Sequence, residues 1–543
     1  WALARRPPGV EAGDDRPALG WGGQFVFALF VHGLCLVPAV VGGWAYERAH
    51  QVCDVEAGLL YLLLLPGAGG VYGVACGQWL RSLFGRRGAW LILPLAAAHL
   101  GAALYRLYVH PQIWAYDPLL GFWPGSLYDE ALSPTPALFA QRTLTVFLGL
   151  GLCALGGLLR PPASTVLRRA GALVGTVVAF GAAAWLSAHR DDLGWGTGYD
   201  RIHAALSQVV TTEHFTVHLP PGTEPELAEA LSREHERWFA KLKPFFGKAP
   251  DQRIDSYLYA NASQKAQLMG AANTKIARPW AREIHLHDVV YPHGSLGHEL
   301  AHVLAAEWAP GPLHVPARFG VWPQIGLVEG LAVAADWPRD HATVHEKARA
   351  LLELELLPDL RKTLSWTGFW SQASSRAYTA AGSFVRWAHD RRGSLAVAEL
   401  YRTGSVPAAL DQSVDEAVSE WEAFLRGEVD VDEETLAWAE ARYRRPSIFA
   451  RACPHETAEL SSNANTLLSV QRFEEAVPVV ERLYELYPDP GWPLAVARTA
   501  ARAGRTELAR TWLAKLPDDD SQLDLQRRRE RLEVEASLAW RSG

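Results

Sequence analysis

The sequence predicts a multi-domain chain: an α-helical membrane bundle over residues 1–190, an α+β domain over 205–428, and an all-α repeat region over 430–543. Three observations carry that division. The first 190 residues are strongly apolar and the rest are mixed and charged. Strand-like alternation is confined to the stretch between 214 and 288. The last ninety residues repeat a helix hairpin at an offset of 33. At 543 residues the chain exceeds one ordinary domain and can bury a core without a disulfide scaffold. The formal net charge of -7 is small for this length, and no Lys/Arg block interleaves with aromatics, so no nucleic-acid partner is expected.

Five apolar runs have the length a bilayer demands: Gln24–Tyr46, Ala57–Leu80, Ala89–Tyr108, Thr143–Leu159 (the shortest) and Ala170–Ala188. The first is long enough to span rather than to be a cleaved leader. Arg5, Arg6 and Arg16 precede the first run; Arg81, Arg86 and Arg87 lie between the second and third; Arg160, Arg168 and Arg169 lie between the fourth and fifth. The Val109–Gln141 connection has no Lys or Arg and is rich in aromatics, Pro and acids, among them Tyr116, Asp117, Trp123, Tyr128, Asp129 and Glu130. The alternation predicts a cytoplasmic N-terminus, with the long connection and everything after Ala188 outside. The lipid bilayer is thus the first expected partner. His32 and His99 fall inside spans, where interhelical hydrogen bonding is the expectation and a relay role the alternative. Cys35, Cys76 and Cys153 sit in apolar runs; Cys53 and Cys453 are not read as a pair, because spacing cannot supply disulfide geometry. No cysteine has metal-ligand spacing.

Past a glycine-rich linker (Gly194 to Gly198), His214–Leu219 alternates like a strand. Glu224–Phe246 has helical spacing, Arg253–Ala260 reads as a strand, Asn261–Gly270 as a short helix and Glu283–Asp288 as a strand. From Leu296 the pattern is helical almost to the end. Arg472-Phe473-Glu474-Glu475-Ala476 matches Arg505-Thr506-Glu507-Leu508-Ala509, in two copies over Asn463–Pro490 and Trp492–Asp518. The period resembles that of tetratricopeptide repeats, which implies either a protein partner at the repeats or a cap on the preceding domain.

Chemistry concentrates at Gly297-His298-Glu299-Leu300-Ala301-His302. On a helix, positions i and i+4 are about 40° apart, so both imidazoles point at one spot and can supply two zinc ligands. Glu299 is rotated about 100° from His298 and lies beside the metal, where it can take a proton from water. A catalytic zinc site takes three protein ligands and keeps one position open. Glu329, in Gly326-Leu327-Val328-Glu329-Gly330 and 27 residues past His302, supplies the third. Asp336 lies two turns further along the same face and is expected to orient a ligand imidazole; the alternative is a solvent-facing helix end.

His-Glu-x-x-His followed by a helix reading Leu-Val-Glu-Gly-Leu-Ala resembles the gluzincins, the thermolysin and aminopeptidase N-like zinc peptidases, over about Glu213 to Arg426. The likeness is to the compact peptidase-MA-like domains of bacterial proteins. It implies a thermolysin-like α+β catalytic fold, zinc as cofactor and a peptide or protein substrate. The stretch Ala377–Val385 resembles the family's later helix, which implies that Tyr378 supports the oxyanion of the tetrahedral intermediate. The resemblance also implies a strand edge at Glu283–Asp288 that pairs with an extended substrate, with His285 and His287 beside the cleft. His285 and His287 are expected to be structural or surface groups rather than further ligands, and the loop position of His293 makes it a weak ligand candidate too. The aminopeptidase branch's upstream glutamate is missing from Gly270-Ala271-Ala272-Asn273, which leaves endo- against exopeptidase action open.

The expected function is a membrane-anchored zinc peptidase acting outside the cytoplasm, in the periplasm or at the cell exterior, from a bacterial inner membrane. A non-catalytic membrane assembly or sensor protein, using the fold and repeats as a binding platform, is the alternative. An intramembrane protease is disfavoured because Glu307, Arg318 and Glu329 interrupt any apolar run around the motif. A transporter has no inverted repeat to support it.

Overall fold

The computed structural model describes residues 20–50, 55–123, 134–159, 166–320, 322–336, 342–365, 368–369, 374–443, 454–469, 471–486, 492–516 and 525–542. Arg5, Arg6, Arg16, Cys53, Tyr128, Asp129, Glu130, Arg160 and Cys453 lie outside them. The chain is mostly helical and forms two compact units: Trp1–Ala205 with Ala262–Ala272, and Leu206–Asn261 with Asn273–Gly543.

In the first unit, α1 (Trp21–His50) is followed by α2 (Val55–Leu62), which passes through a π-helical turn at Leu63–Gly67 into α3 (Ala68–Phe84). Then come α4 (Ile92–Val109), a hairpin of β1 (Ala115–Asp117) and β2 (Gly121–Trp123), α5 (Pro136–Leu159), α6 (Val166–Ala188) and α7 (Tyr199–Ala205). Among the described residues five helical stretches are long and apolar enough to cross a membrane, and they fall on the five predicted runs. The fourth differs in extent. It starts at Pro136 rather than Thr143, because Gln141 and Arg142, each 1% exposed, lie within it. The Arg142 guanidinium donates to the carbonyls of Asp117 and Gly121, so the hairpin satisfies a charge that would otherwise end an apolar helix.

The two span histidines divide. His32 Nε2 hydrogen-bonds the Pro66 carbonyl of the π turn at 2.9 Å, as expected of an interhelical contact. His99 turns its Nδ1 to the carboxylate of Asp117 in the hairpin at 2.8 Å, with Tyr72 of α3 at 3.5 Å on its other nitrogen. Asp117 also accepts the amides of Leu119 and Leu120, closing the turn. The segment 262–272 belongs to this unit: Ile113 donates to the Met269 carbonyl at 2.9 Å, and Gly270, at φ +100°, lies against the Trp114 ring.

The second unit opens with a five-stranded mixed sheet. In chain order β3 (Gln208–Thr211) and β4 (Phe215–Leu219) are followed by α8 (Pro225–Phe246), β5 (Ile254–Tyr259), α9 (Ala262–Met269, in the first unit), β6 (Ile276–Arg278) and β7 (Glu283–His287). The spatial order is β3-β4-β5-β7-β6, with β4, β5 and β7 parallel and β3 and β6 antiparallel at the two edges. The edge expectation for Glu283–Asp288 is corrected over its first half: β6 pairs with Glu283–His285 of β7 and takes the edge there. Period-two alternation sorts the faces. Phe215, Val217, Leu219, Ile254, Leu258, Ile284 and Leu286 form a core with Leu231, Phe239 and Leu242 of α8. On the opposite face His218, Tyr257 and His285 are register partners whose rings stack 4.5 and 4.8 Å apart.

Among the described residues the remainder is helices and loops apart from one short hairpin. It comprises α10 (Leu296–Ala305), β8 (Ala317–Arg318) paired with β9 (Trp322–Pro323), α11 (Ile325–Ala335), α12 (Val344–Glu353), α13 (Leu360–Thr363) and α14 (Ser374–Thr403). Gly393, at φ +80°, breaks α14 in two. Then follow α15 (Val406–Leu410), α16 (Val414–Glu428) and α17 (Glu433–Tyr443). Capping boxes at Thr343 and Ser413 start α12 and α16 by satisfying orphan amides. Beyond them α18 (Pro454–Ser469), α19 (Phe473–Leu486), α20 (Trp492–Arg502), α21 (Thr506–Leu513) and α22 (Leu525–Ser542) share a core of Val477, Val480, Leu483, Ala497, Ala500 and Trp512. The matched pentapeptides begin α19 and α21 equivalently, and Arg505 of the second copy pairs with Glu474 of the first.

Candidate metal centre

The site begins with how α10 is held. Glu234 of α8, 2% exposed, accepts the backbone amide of His293 at 3.1 Å, and this fixes the turn that launches the helix. Leu300, Ala301, Val303 and Leu304 are fully buried, so α10 is a core helix rather than a surface one, and its two histidines are rigidly placed.

Across from it, α11 brings Glu329. Its Oε2 lies 3.1 Å from His298 Nε2 and 3.5 Å from His302 Nε2. The two rings stand edge to face with centroids 4.8 Å apart. All three donor atoms fall within 4.8 Å of one another, and among the described residues no other group of three His, Cys, Asp or Glu side chains converges in this way. Burial works to raise the Glu329 carboxyl pKa, but the neighbouring imidazoles, His302 foremost, hold it well below the ordinary carboxylate range. Two imidazole nitrogens and one carboxylate oxygen facing a common point are a donor set that suits a borderline divalent cation such as zinc.

Glu299, 6% exposed, follows His298 on the same helix. Tyr378, half-buried in the first turns of α14, has its ring centroid 6.3 Å from that of His298 and packs edge-on against Phe369 at 5.4 Å. Asp336 caps the C-terminus of α11 and is 1% exposed, which rules out the solvent-facing helix end. Its carboxylate presses on the motif helix: a Cβ on Gly297 would stand 2.7 Å from Asp336 Oδ1. His298 Nδ1 is buried without a hydrogen-bond partner, so Asp336 does not orient the His298 ring through that nitrogen.

His285 Nδ1 hydrogen-bonds the Tyr259 hydroxyl at 3.0 Å and its Nε2 lies 3.3 Å from Glu283; His293 Nε2 bonds the His287 carbonyl at 3.0 Å. For His285 and His293 these buried side-chain contacts fit a structural role.

Sequence reasoning missed two features. Glycine precedes His298 and follows Glu329, at helical positions where it costs about 1 kcal/mol against Ala. Each is a close-approach site, since a Cβ on Gly330 would meet the Ala381 backbone of α14 at 2.9 Å. A glycine beside a ligand inside an apolar helix was the available signal. The second is Tyr401, buried in α14 past the Gly393 break. Its hydroxyl has no hydrogen-bond partner, and burial and then the Glu329 charge raise its pKa. Nothing local in the sequence marks it.

Comparison with protein-family models, curated proteins and solved structures finds no match to this chain.

Proposed function

We propose that the chain is a membrane-anchored zinc peptidase that hydrolyses peptide bonds outside the cytoplasm. One observation carries the reading: two Nε2 atoms and a carboxylate oxygen, delivered by two packed core helices, converge on one point. Zinc bound there would acidify water and polarise the scissile carbonyl.

His298, His302 and Glu329 hold the metal. Glu299 takes a proton from the attacking water and passes it to the leaving amine. Tyr378 donates its phenol to the oxygen on which negative charge develops. Edge strand β6, which contacts α10, is the strand an extended substrate would lie beside, the role first expected of Glu283–Asp288. The five spans anchor the enzyme with its N-terminus in the cytoplasm, and helices α18 to α22 serve as a tetratricopeptide-like surface for a protein partner.

The test is elemental analysis of the full chain and of Glu329→Ala, paired with peptide-library cleavage by wild type and Glu299→Gln. The reading expects one zinc per chain, lowered in Glu329→Ala, and cleavage lost in Glu299→Gln with zinc retained. Zinc without cleavage would favour a binding platform. A metal-free wild type would overturn the site.

A further inference from the structure

The connection between the two ligand-bearing helices carries an exposed aromatic hairpin that the metal site does not use. Phe319, just past β8, is 86% exposed, and Trp322, the first residue of β9, is 51% exposed. The Arg318 guanidinium lies 5.1 Å from the Phe319 ring centroid. Phe319 and Gly320 both take positive φ, at 55° and 73°, so the backbone bends sharply to present the ring outward. From Trp308 to Val328 the chain contains no Asp or Glu, while His314 and Arg318 are basic.

We propose that this hairpin is a lipid-contact element: Phe319 and Trp322 enter the headgroup region of the bilayer, and Arg318 meets anionic lipid phosphate. Three arguments select a bilayer over a polypeptide. Aromatic rings with a neighbouring cation and no acid match the chemistry of a membrane interface. The chain carries five stretches long and apolar enough to span, so the bilayer is present at high effective concentration. A subsite for a peptide side chain walls its aromatics in, whereas Phe319 stands almost fully in solvent, suited to a fluid planar phase. The element lies in the connection from α10 to α11, the two ligand-bearing helices. The inference does not depend on peptidase activity.

The test uses the full chain in nanodiscs of phosphatidylethanolamine and phosphatidylglycerol. An environment-sensitive fluorescent amino acid replaces Phe319. A second sample carries it at Leu395, which is 85% exposed in the same unit and serves as the water-facing reference. Lipid labelled with a spin quencher near the headgroup should quench position 319 more than position 395 by about twofold or more, and aqueous iodide should show the reverse order. Equal iodide quenching at both positions, with no lipid quenching at 319, would overturn the proposal. So would a signal at 319 that answers to added peptides and not to labelled lipid, which would assign the hairpin to polypeptide. Both labels replace exposed side chains, so a folding defect does not cloud the result.

Discussion

Gly330 and Ala381 are in backbone contact: a Cβ on Gly330 would stand 2.9 Å from the Ala381 carbonyl, so the helix bearing Glu329 meets the helix bearing Tyr378 through a glycine. Gly330→Ala therefore has to push α11 and α14 apart. It should destabilise the protein by about 1–3 kcal/mol and lower metal content with no ligand altered. Gly427→Ala, where a Cβ meets open space, is the control and should be neutral or slightly stabilising. Thermal melts and elemental analysis of both variants check this.

His235 gives the fold a pH dependence. Burial between α8 and β5 pushes its pKa down to about 4, outweighing the hydrogen bond its Nδ1 donates to the Leu231 carbonyl. Its Nε2 accepts from Ser256 Oγ at 2.8 Å, so the neutral ring is the fitted form. The unfolded chain, near 6.5, binds the proton that the folded chain refuses, so stability rises with pH across this window. The contribution is fully present above pH 6.5, is lost as pH falls towards 4, and amounts to about 3 kcal/mol. His345, lowered to about 4 chiefly by burial, acts in the same direction. Melting temperature against pH should fall through this interval, and His235→Asn should flatten the fall.

Metal removal should register in stability as well as in activity. Without the cation, Glu329 faces two imidazoles alone, and a ligand that binds only the folded state raises its melting temperature. Chelation should lower the melting temperature of wild type and leave Glu329→Ala nearly unchanged. An equal response in both would remove the assigned ligand set.

Tyr401→Phe deletes a buried hydroxyl that has no hydrogen-bond partner. An unmade buried bond costs about 1–3 kcal/mol, so the variant should be as stable as wild type or more so, an unusual outcome for a core tyrosine. A melt reads this directly.

The site was legible where the chain repeats at helical period and illegible where a side chain's partner is distant in sequence. His298, His302 and Glu329 announce themselves by spacing within two apolar helices. Strand β6 has three residues, too few for alternation to show, and its absence from the sequence reading turned the first half of β7 into a false edge. Arg142 looked like a boundary because its acceptors, the carbonyls of Asp117 and Gly121, lie more than twenty residues away. Asp336 looked like a possible surface group because its neighbour, Gly297, sits on another helix.

The assignment of residues 262–272 to the unit with the five long apolar helices has a consequence for dissection. The polypeptide passes from one unit to the other at three places: after Ala205, after Asn261 and after Ala272. No single scission frees the half that holds the ligands. A recombinant piece beginning at Leu206 would carry Met269 and Gly270 without Ile113 and Trp114, which they meet in the intact molecule. Strand β6 starts four residues after the last passage. The unit of expression for this protein is the whole chain.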